Sequence, residues 1–394
     1  MTTRLSPAND RLGVVDSLRG FALLAIVLLH NLEHYNIFFV PENLPAWLMT
    51  LDKGVWNTTF FLLAGKAYAT FSLLFGFSFY IQFRNSERRG QKFRGRFAWR
   101  MFLLFLFSQF HAMFYDGDIL LLYAVVGLIL IPVSYLKDKT VLILAVICIL
   151  QPQEWIRVIY ACIDPDFVSY GHYFWAFAQP AMEATMNGSF TEVLRSNLWH
   201  GQLYSNLWQV ENGRLFQTAA LFMFGMLLGR KEYFIKSDSS IRVWKKVLIY
   251  SVVAFVPLFL IKTYIPQFIE TESVQTPLNI IFPSLTNFAF MAFLVAGFTL
   301  LWFKKGGYKT QKLLIPYGRM SLTNYIGQSI IGVCIYYGFG LGLYQSVGAT
   351  QSILIGLGIF TIQLLFSRWW LSRYRQGPLE YLWRKGTWIR LNKT

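Results

Sequence analysis

The sequence predicts an all-α, polytopic integral membrane protein of about ten transmembrane helices, with both termini in the cytoplasm. Three observations carry this reading. Apolar residues make up 55% of the 394-residue chain and charged residues only 14%, where soluble domains are about a quarter charged. Apolar runs recur from residue 21 to residue 371, each near the roughly 20 residues that a bilayer crossing needs. The charge is also segregated: segments 1–20, 84–100, 137–139, 230–246, 303–312 and 368–394 hold 29 of the 36 Lys and Arg.

In chain order the expected spans are 21–40, 56–83, 98–115, 119–136, 140–163, 214–229, 246–265, 280–302, 320–337 and 351–371. Ten crossings that start inside bring all six basic segments to the cytoplasmic face, as the positive-inside rule requires. Residues 1–394 then form a single membrane domain. The net charge of +16 belongs to that pattern and to anionic lipid headgroups, so nucleic acid is excluded as a partner. Aromatics reach 18%, with Trp and Tyr near the ends of the apolar runs, where interfacial belts form. Cys148, Cys162 and Cys334 have no paired spacing, which argues against a disulfide scaffold and a thiolate zinc site. Residues 21–40 read as a retained signal anchor, without a small-residue cleavage signature.

The connections follow. The second span is long enough to break at Gly65-Lys66. Phe114-Tyr115-Asp116-Gly117-Asp118 reads as a tight external turn in which glycine allows the reversal. Residues 164–213 form the one long external segment, rich in Trp, Tyr and Phe. It is expected to hold short surface helices and is suited to capping a cavity.

Polar groups inside a span are costly, so each is a site candidate. His30 follows Arg19 by eleven residues, a rise of about 16 Å along a helix, which places it near mid-membrane. His34 would lie one turn further out on the same face. His111 repeats the spacing, eleven residues after Arg100, so two helices could present imidazoles to one cavity. Asp116 and Asp118 follow and could orient a histidine. Histidine suits general-base work because its ordinary pKa is near neutral.

Residues 30–34, with Glu33 between the histidines, match the inverted zinc-protease pattern H-x-x-E-H, but nothing in the sequence names the third ligand that catalytic zinc needs. Lys66 needs a partner or a water-filled path; otherwise it snorkels to the interface. Arg319 and Asn324 open the ninth span within Gly318-Arg319-Met320-Ser321-Leu322-Thr323-Asn324-Tyr325. Helix packing is the default role for small and hydroxyl residues there.

Several stretches together resemble the YeiB-type family of bacterial integral membrane proteins. They are Asp16-Ser17-Leu18-Arg19-Gly20, Lys66 with Phe71–Gly76, Arg100 through His111 to Leu120, Gly318–Tyr325, Tyr337–Gly342 and Gly377–Trp383. The first helix is also similar to membrane acyltransferases, both the sugar O-acetylating family and the heparan N-acetyltransferase type. In the former the hallmark is an arginine, ten intervening residues and a catalytic histidine, which Arg19 and His30 match. YeiB-type proteins tend to carry Asn where His30 stands, and would nominate His111.

The resemblance implies a multi-pass protein of the bacterial cytoplasmic membrane. It would move an acyl group from cytoplasmic acyl-CoA to an extracytoplasmic or lipid-linked acceptor. In that reading His30 is the base or the acyl carrier, His111 and Asp118 orient the acceptor or His30, and Arg19 and Arg100 attract the CoA phosphates. Lys66, His34, Glu33, Arg319 and Asn324 complete the substrate-contact candidates. No metal and no tightly bound cofactor is needed. The partners implied are membrane lipids, acyl-CoA, an acceptor not named by the sequence and, in a homo-oligomer, a second copy of the chain. A transporter or lipid-handling protein using the same cavity without covalent chemistry is the alternative. An intramembrane zinc hydrolase is the third reading.

Overall fold

The computed structural model of the chain describes residues 12–41, 44–91, 93–164, 167, 172–304 and 311–389. Helices dominate them, and no strand occurs among the described residues. Arg4, Arg11, Lys92, Lys305, Lys309, Arg390 and Lys393 of the basic segments lie outside the described residues.

In chain order the helices are α1 (Gly13–Leu32), α2 (Ala46–Leu63), α3 (Lys66–Glu87), α4 (Phe93–Phe114), α5 (Leu120–Gly127), α6 (Leu130–Val133), α7 (Asp138–Ile149) and α8 (Pro152–Ile163). Then come α9 (Trp175–Asn187), α10 (Phe190–Ser196), α11 (Gln202–Glu211), α12 (Arg214–Arg230), α13 (Asp238–Phe268) and α14 (Glu272–Phe303). The last four are α15 (Ile315–Arg319), α16 (Ser321–Tyr336), α17 (Ala349–Arg373) and α18 (Pro378–Thr387).

Six stretches are long and apolar enough to cross a bilayer: α1, α2 with α3, α4, α13, α14 and α17. A seventh arises if α7 and α8, bent by 47° at their junction, make one span. This establishes a polytopic membrane protein, with fewer crossings by length and hydropathy than the ten expected. The shortfall is at 119–136, 214–229 and 320–337. Those runs form the broken pair α5–α6, the 17-residue α12 and the 16-residue α16. The apolar run outlasts the helix in 119–136 and 320–337, because hydropathy does not register where a backbone turns.

α1 is the central helix and packs against α3, α15, α16 and α17. It begins eight residues earlier than the apolar run suggests. Asp16 and Arg19 pair at 2.6 Å, and mutual neutralisation lets both sit inside a buried helix. It ends at Leu32, after which His34, Tyr35 and Asn36 have φ of 46°, 54° and 74°. Three successive non-glycine residues in the left-handed region are held there against their preference. The break expected at Gly65-Lys66 is present, with Gly65 at φ 76° between α2 and α3.

α3 and α12 meet through glycine. A Cβ on Gly225 would overlap the Leu73 carbonyl oxygen, and one on Gly76 would overlap that of Phe222. Gly225 and Gly229 are four apart on one face, the small-residue spacing that lets membrane helices approach closely. Gly318 serves α15 likewise against the Asp16 carbonyl of α1.

The basic segments gather at one end of the bundle. Arg84 pairs with Glu232, and Asp138 binds Arg230 at 2.9 Å and Lys231 at 2.6 Å. Ser17 donates to the Gln311 carbonyl at 2.7 Å, and Arg100 reaches Thr387 at 3.4 Å. At the opposite end, α9, α10 and α11 of the 164–213 segment are joined by a π-helical turn at Asn197–Gly201, which packs against α4.

Candidate functional site

A cavity of about 810 Å³ runs up the bundle between α1, α3, α4, α16 and α18. Its lining is graded. At the basic end stand Arg19, Arg100, Arg319, Arg375 and Arg384, with Asp16 and Glu380. Arg375 and Arg384 are exposed, so this end opens to solvent. The middle is apolar, from Leu23, Phe71, Phe75, Phe79, Phe97, Met101 and Leu104. Toward the histidines the lining includes Ile26, Ile119 and Tyr325, with Tyr68, Leu120 and Tyr123.

Three of these arginines have an identifiable hold. Arg19 donates to Asp16 at 2.6 Å and to the Ser78 hydroxyl at 2.5 Å. Arg100 lies over the Trp383 ring, 4.1 Å from its centroid, and the Trp383 indole N–H donates back to the Arg100 carbonyl at 3.1 Å. Arg319 donates to the Arg375 carbonyl at 3.1 Å. α18 is fastened by Glu380, which accepts from the Leu322 and Thr323 backbone N–H groups at 2.7 and 3.2 Å and from the Thr323 hydroxyl at 2.6 Å. A carboxylate there satisfies the free N–H groups that open α16 and complements its dipole.

Beyond the inner end lies the histidine cluster. His30 and His111 each occupy the last turn of their helices, α1 and α4, nearer the helix ends than the mid-span depth expected. Both imidazoles meet the same two tyrosines. His30 lies 5.0 Å from the Tyr115 ring and 6.3 Å from Tyr325; His111 lies 5.9 and 4.9 Å from them. The turn after α4 folds Asp118 back so that His111 Nδ1 donates to its Oδ1 at 2.7 Å. The other carboxylate oxygen accepts from Ser108 at 2.5 Å and from the Leu121 N–H at 3.1 Å. An ionised carboxylate only accepts, so the bond keeps the His111 proton on Nδ1. His111 Nε2 is then a free lone pair, buried without a partner, and His30 Nδ1 is unpartnered too. A fully buried, carboxylate-oriented imidazole with an open nitrogen is equipped to take a proton.

Other expected residues fall elsewhere. His34 is beyond the end of α1, so the one-turn spacing from His30 is lost. Its Nε2 meets the Ser352 hydroxyl at 2.9 Å and its ring stacks on Tyr336. The H-x-x-E-H match is therefore not a helical metal motif, and among the described residues no three His, Cys, Asp or Glu are grouped to hold one ion. Glu33 caps the end of α1 through its backbone N–H. Lys66 is buried between the Phe61 and Phe290 rings, at 5.8 and 5.5 Å, and does not line the cavity. Asn324 ties α16 to α17 through Ser367 at 3.0 Å, the helix-packing role. Arg375, Arg384, Glu380 and Tyr325 were not foreseen as site residues. For Tyr325 and Glu380 the signals are in the two motifs Gly318–Tyr325 and Gly377–Trp383, whose roles only become visible once α18 folds under α16; Arg375 and Arg384 flank the second motif.

These features define a class: an α-helical membrane protein with an arginine-mouthed cavity and a histidine cluster beside it. Residues 228–390 match the family described as "Protein of unknown function (DUF418)". Over 419 aligned positions the chain is 27% identical to "Uncharacterized protein YxaH" of Bacillus subtilis (strain 168), covering 97% of this chain and 95% of that one. It is 27% identical to "Uncharacterized protein YeiB" of Escherichia coli (strain K12), covering 96% of each. It is 26% identical to "Uncharacterized 39.9 kDa protein in amylase 3'region" of Bacillus acidopullulyticus, covering 97% and 95%. The resemblance to YeiB-type membrane proteins carried by the motifs is matched by relatives that align over nearly the whole chain.

Proposed function

We propose that the protein is a membrane acyltransferase of the bacterial cytoplasmic membrane, ten-spanning with both termini inside. It takes the acyl group from acyl-CoA at the arginine end and passes it to an acceptor that enters from the opposite side. The observation that carries this reading is the graded cavity: guanidinium groups at an open mouth, an apolar middle, and an end one residue layer short of two imidazoles with open nitrogens. Arginine binds phosphate through planar paired hydrogen bonds, and a thioester's acyl chain suits the apolar middle.

In the reaction the acceptor oxygen or nitrogen attacks the thioester carbonyl carbon. The C–S bond breaks, and the acceptor's proton passes to the base and then to the departing CoA thiolate. Geometry favours His111 as that base, oriented by Asp118, with His30 facing the same space as a hydrogen-bond partner of acceptor or carbonyl. This exchanges the roles that the acyltransferase resemblance implied for the two histidines. The 164–213 segment covers the acceptor side.

The test is thermal stability of the detergent-purified protein with CoA and acyl-CoA of several chain lengths. Stabilisation is expected, weakened by Arg19→Ala, Arg100→Ala and salt, since screening reduces phosphate binding. No shift with any acyl-CoA would sink this reading and favour the transporter.

A further inference from the structure

Neither His30 nor His111 lines the cavity. Three of its lining residues are neighbours of a histidine-site residue. Ile26 is one helical turn before His30, Ile119 directly follows Asp118, and the Tyr325 ring lies 4.9 Å from His111. Of these three only Tyr325 touches both sides: it lines the cavity, contacts both imidazoles and is 5% exposed. Although the ring packs in the core, its polar anchorage is slight. The hydroxyl accepts one hydrogen bond, from the Ile119 N–H at a long 3.4 Å, at the weak end of the useful range. The ring sits in the second turn of α16, just above the end that Glu380 clamps. A large flat side chain on a rigid helix, with one weak polar tether, can change rotamer while its backbone stays still.

We propose that Tyr325 is the gate between the arginine-mouthed cavity and the histidine cluster. Its ring closes the inner end at rest and swings aside when a chain occupies the cavity, bringing the carbonyl of that ligand to His111. The closed ring also keeps water in the open cavity from the base, which guards a thioester against hydrolysis. The proposal rests on the acyl-transfer reading for its purpose, but the seal itself is testable without it.

The experiment uses the full chain with Cys148, Cys162 and Cys334 replaced by Ser and His30→Cys as the reporter. A charged, membrane-impermeant methanethiosulfonate reagent is applied from the arginine side, in inside-out vesicles. With Tyr325 present, and equally with Tyr325→Phe, Cys at position 30 should stay unmodified. Tyr325→Ala should raise its modification rate at least tenfold, and Tyr325→Val serves if the alanine variant fails to insert. Rapid modification with Tyr325 in place, or continued protection in both small variants, would overturn the gate. Acyl-CoA thermal shifts on the same proteins separate the two ideas. Opening by Tyr325→Ala without any CoA shift keeps the gate and discards the donor, while a CoA shift with no opening keeps the donor and discards the gate. In the His30-containing protein, Tyr325→Ala should raise the ratio of acyl-CoA hydrolysis to transfer above that of Tyr325→Phe.

Discussion

His111 and Asp118 lie on either side of the turn that ends α4, joined at 2.7 Å, with side chains 0% and 5% exposed. The bond is local in sequence yet dictates chemistry, because it leaves only Nε2 of the imidazole open, in a ring that packs against Tyr325. Asp118 also gathers Ser108 and the start of α5, so the same carboxylate builds the turn and orients the ring.

Asp118→Asn should therefore lower transfer steeply while keeping the chain folded. The amide can still accept, but it no longer fixes the tautomer or stabilises the imidazolium, and loss of a base typically costs about 10²–10⁴ in rate. Asp118→Ala should cost stability as well, by about 1–3 kcal/mol, since it strands buried donors. Rates in membranes together with melting curves separate the two effects. Equal rates in wild type and Asp118→Asn would remove the dyad from the mechanism.

His30→Ala and His34→Ala should diverge. His30 faces the tyrosines and His111, so its loss is read in transfer. His34 holds α17 through Ser352 and stacks on Tyr336, so His34→Ala should lower the melting temperature by the loss of about 1 kcal/mol with transfer retained. Comparable loss of transfer at both positions would mean that the two histidines act together after all.

Much of this was legible beforehand. Charge segregation and apolar runs give the helical membrane class, because a bilayer punishes any other pattern. The Arg19–His30 and Arg100–His111 spacings match in bringing both imidazoles to one cluster, though in the last turns of their helices and not at mid-span, and Gly65 marks a real break. What the sequence hides is where a backbone leaves its helix: nothing in His30–Asn36 announces an end at Leu32, so His34 was assigned to the wrong face. Tertiary closure is hidden too. Arg375, Glu380 and Arg384 look like an ordinary basic tail until Glu380 docks on α16 and turns that tail into the wall of the cavity.

Glu380 accounts for three of the hydrogen bonds that hold α18 in place. Glu380→Ala leaves two backbone donors and the Thr323 hydroxyl without their acceptor, at a cost of about 1–3 kcal/mol. It should also loosen Trp383 and Arg384, weakening any CoA-dependent stabilisation beyond the fall in melting temperature. Glu380→Gln retains an acceptor oxygen and should lose less of both. Proteolysis near residue 377 is a direct readout, faster in Glu380→Ala than in wild type.

Orientation is decided by labelling single cysteines in intact cells. The basic segments meet at one end of the bundle through Arg84–Glu232, Asp138–Arg230 and Arg100–Thr387, and that end should face the cytoplasm because positive loops are retained there. Lys53 belongs to the other end: its neighbour Asp52 accepts from the Thr350 N–H at 2.7 Å, at the start of α17, whose far end runs to Arg373 beside the cavity mouth. Arg195 lies in α10, against the outer end of α4, and Glu272 opens α14 at the turn away from its basic terminus. Cysteines at 53, 195 and 272 should therefore react with impermeant reagents from outside, while one at 90 should react only after permeabilisation. Position 307 shares that expectation but lies outside the described residues. External labelling at 90 would invert the molecule and put the arginine mouth in the wrong compartment for acyl-CoA, so this one result bears on topology and donor together.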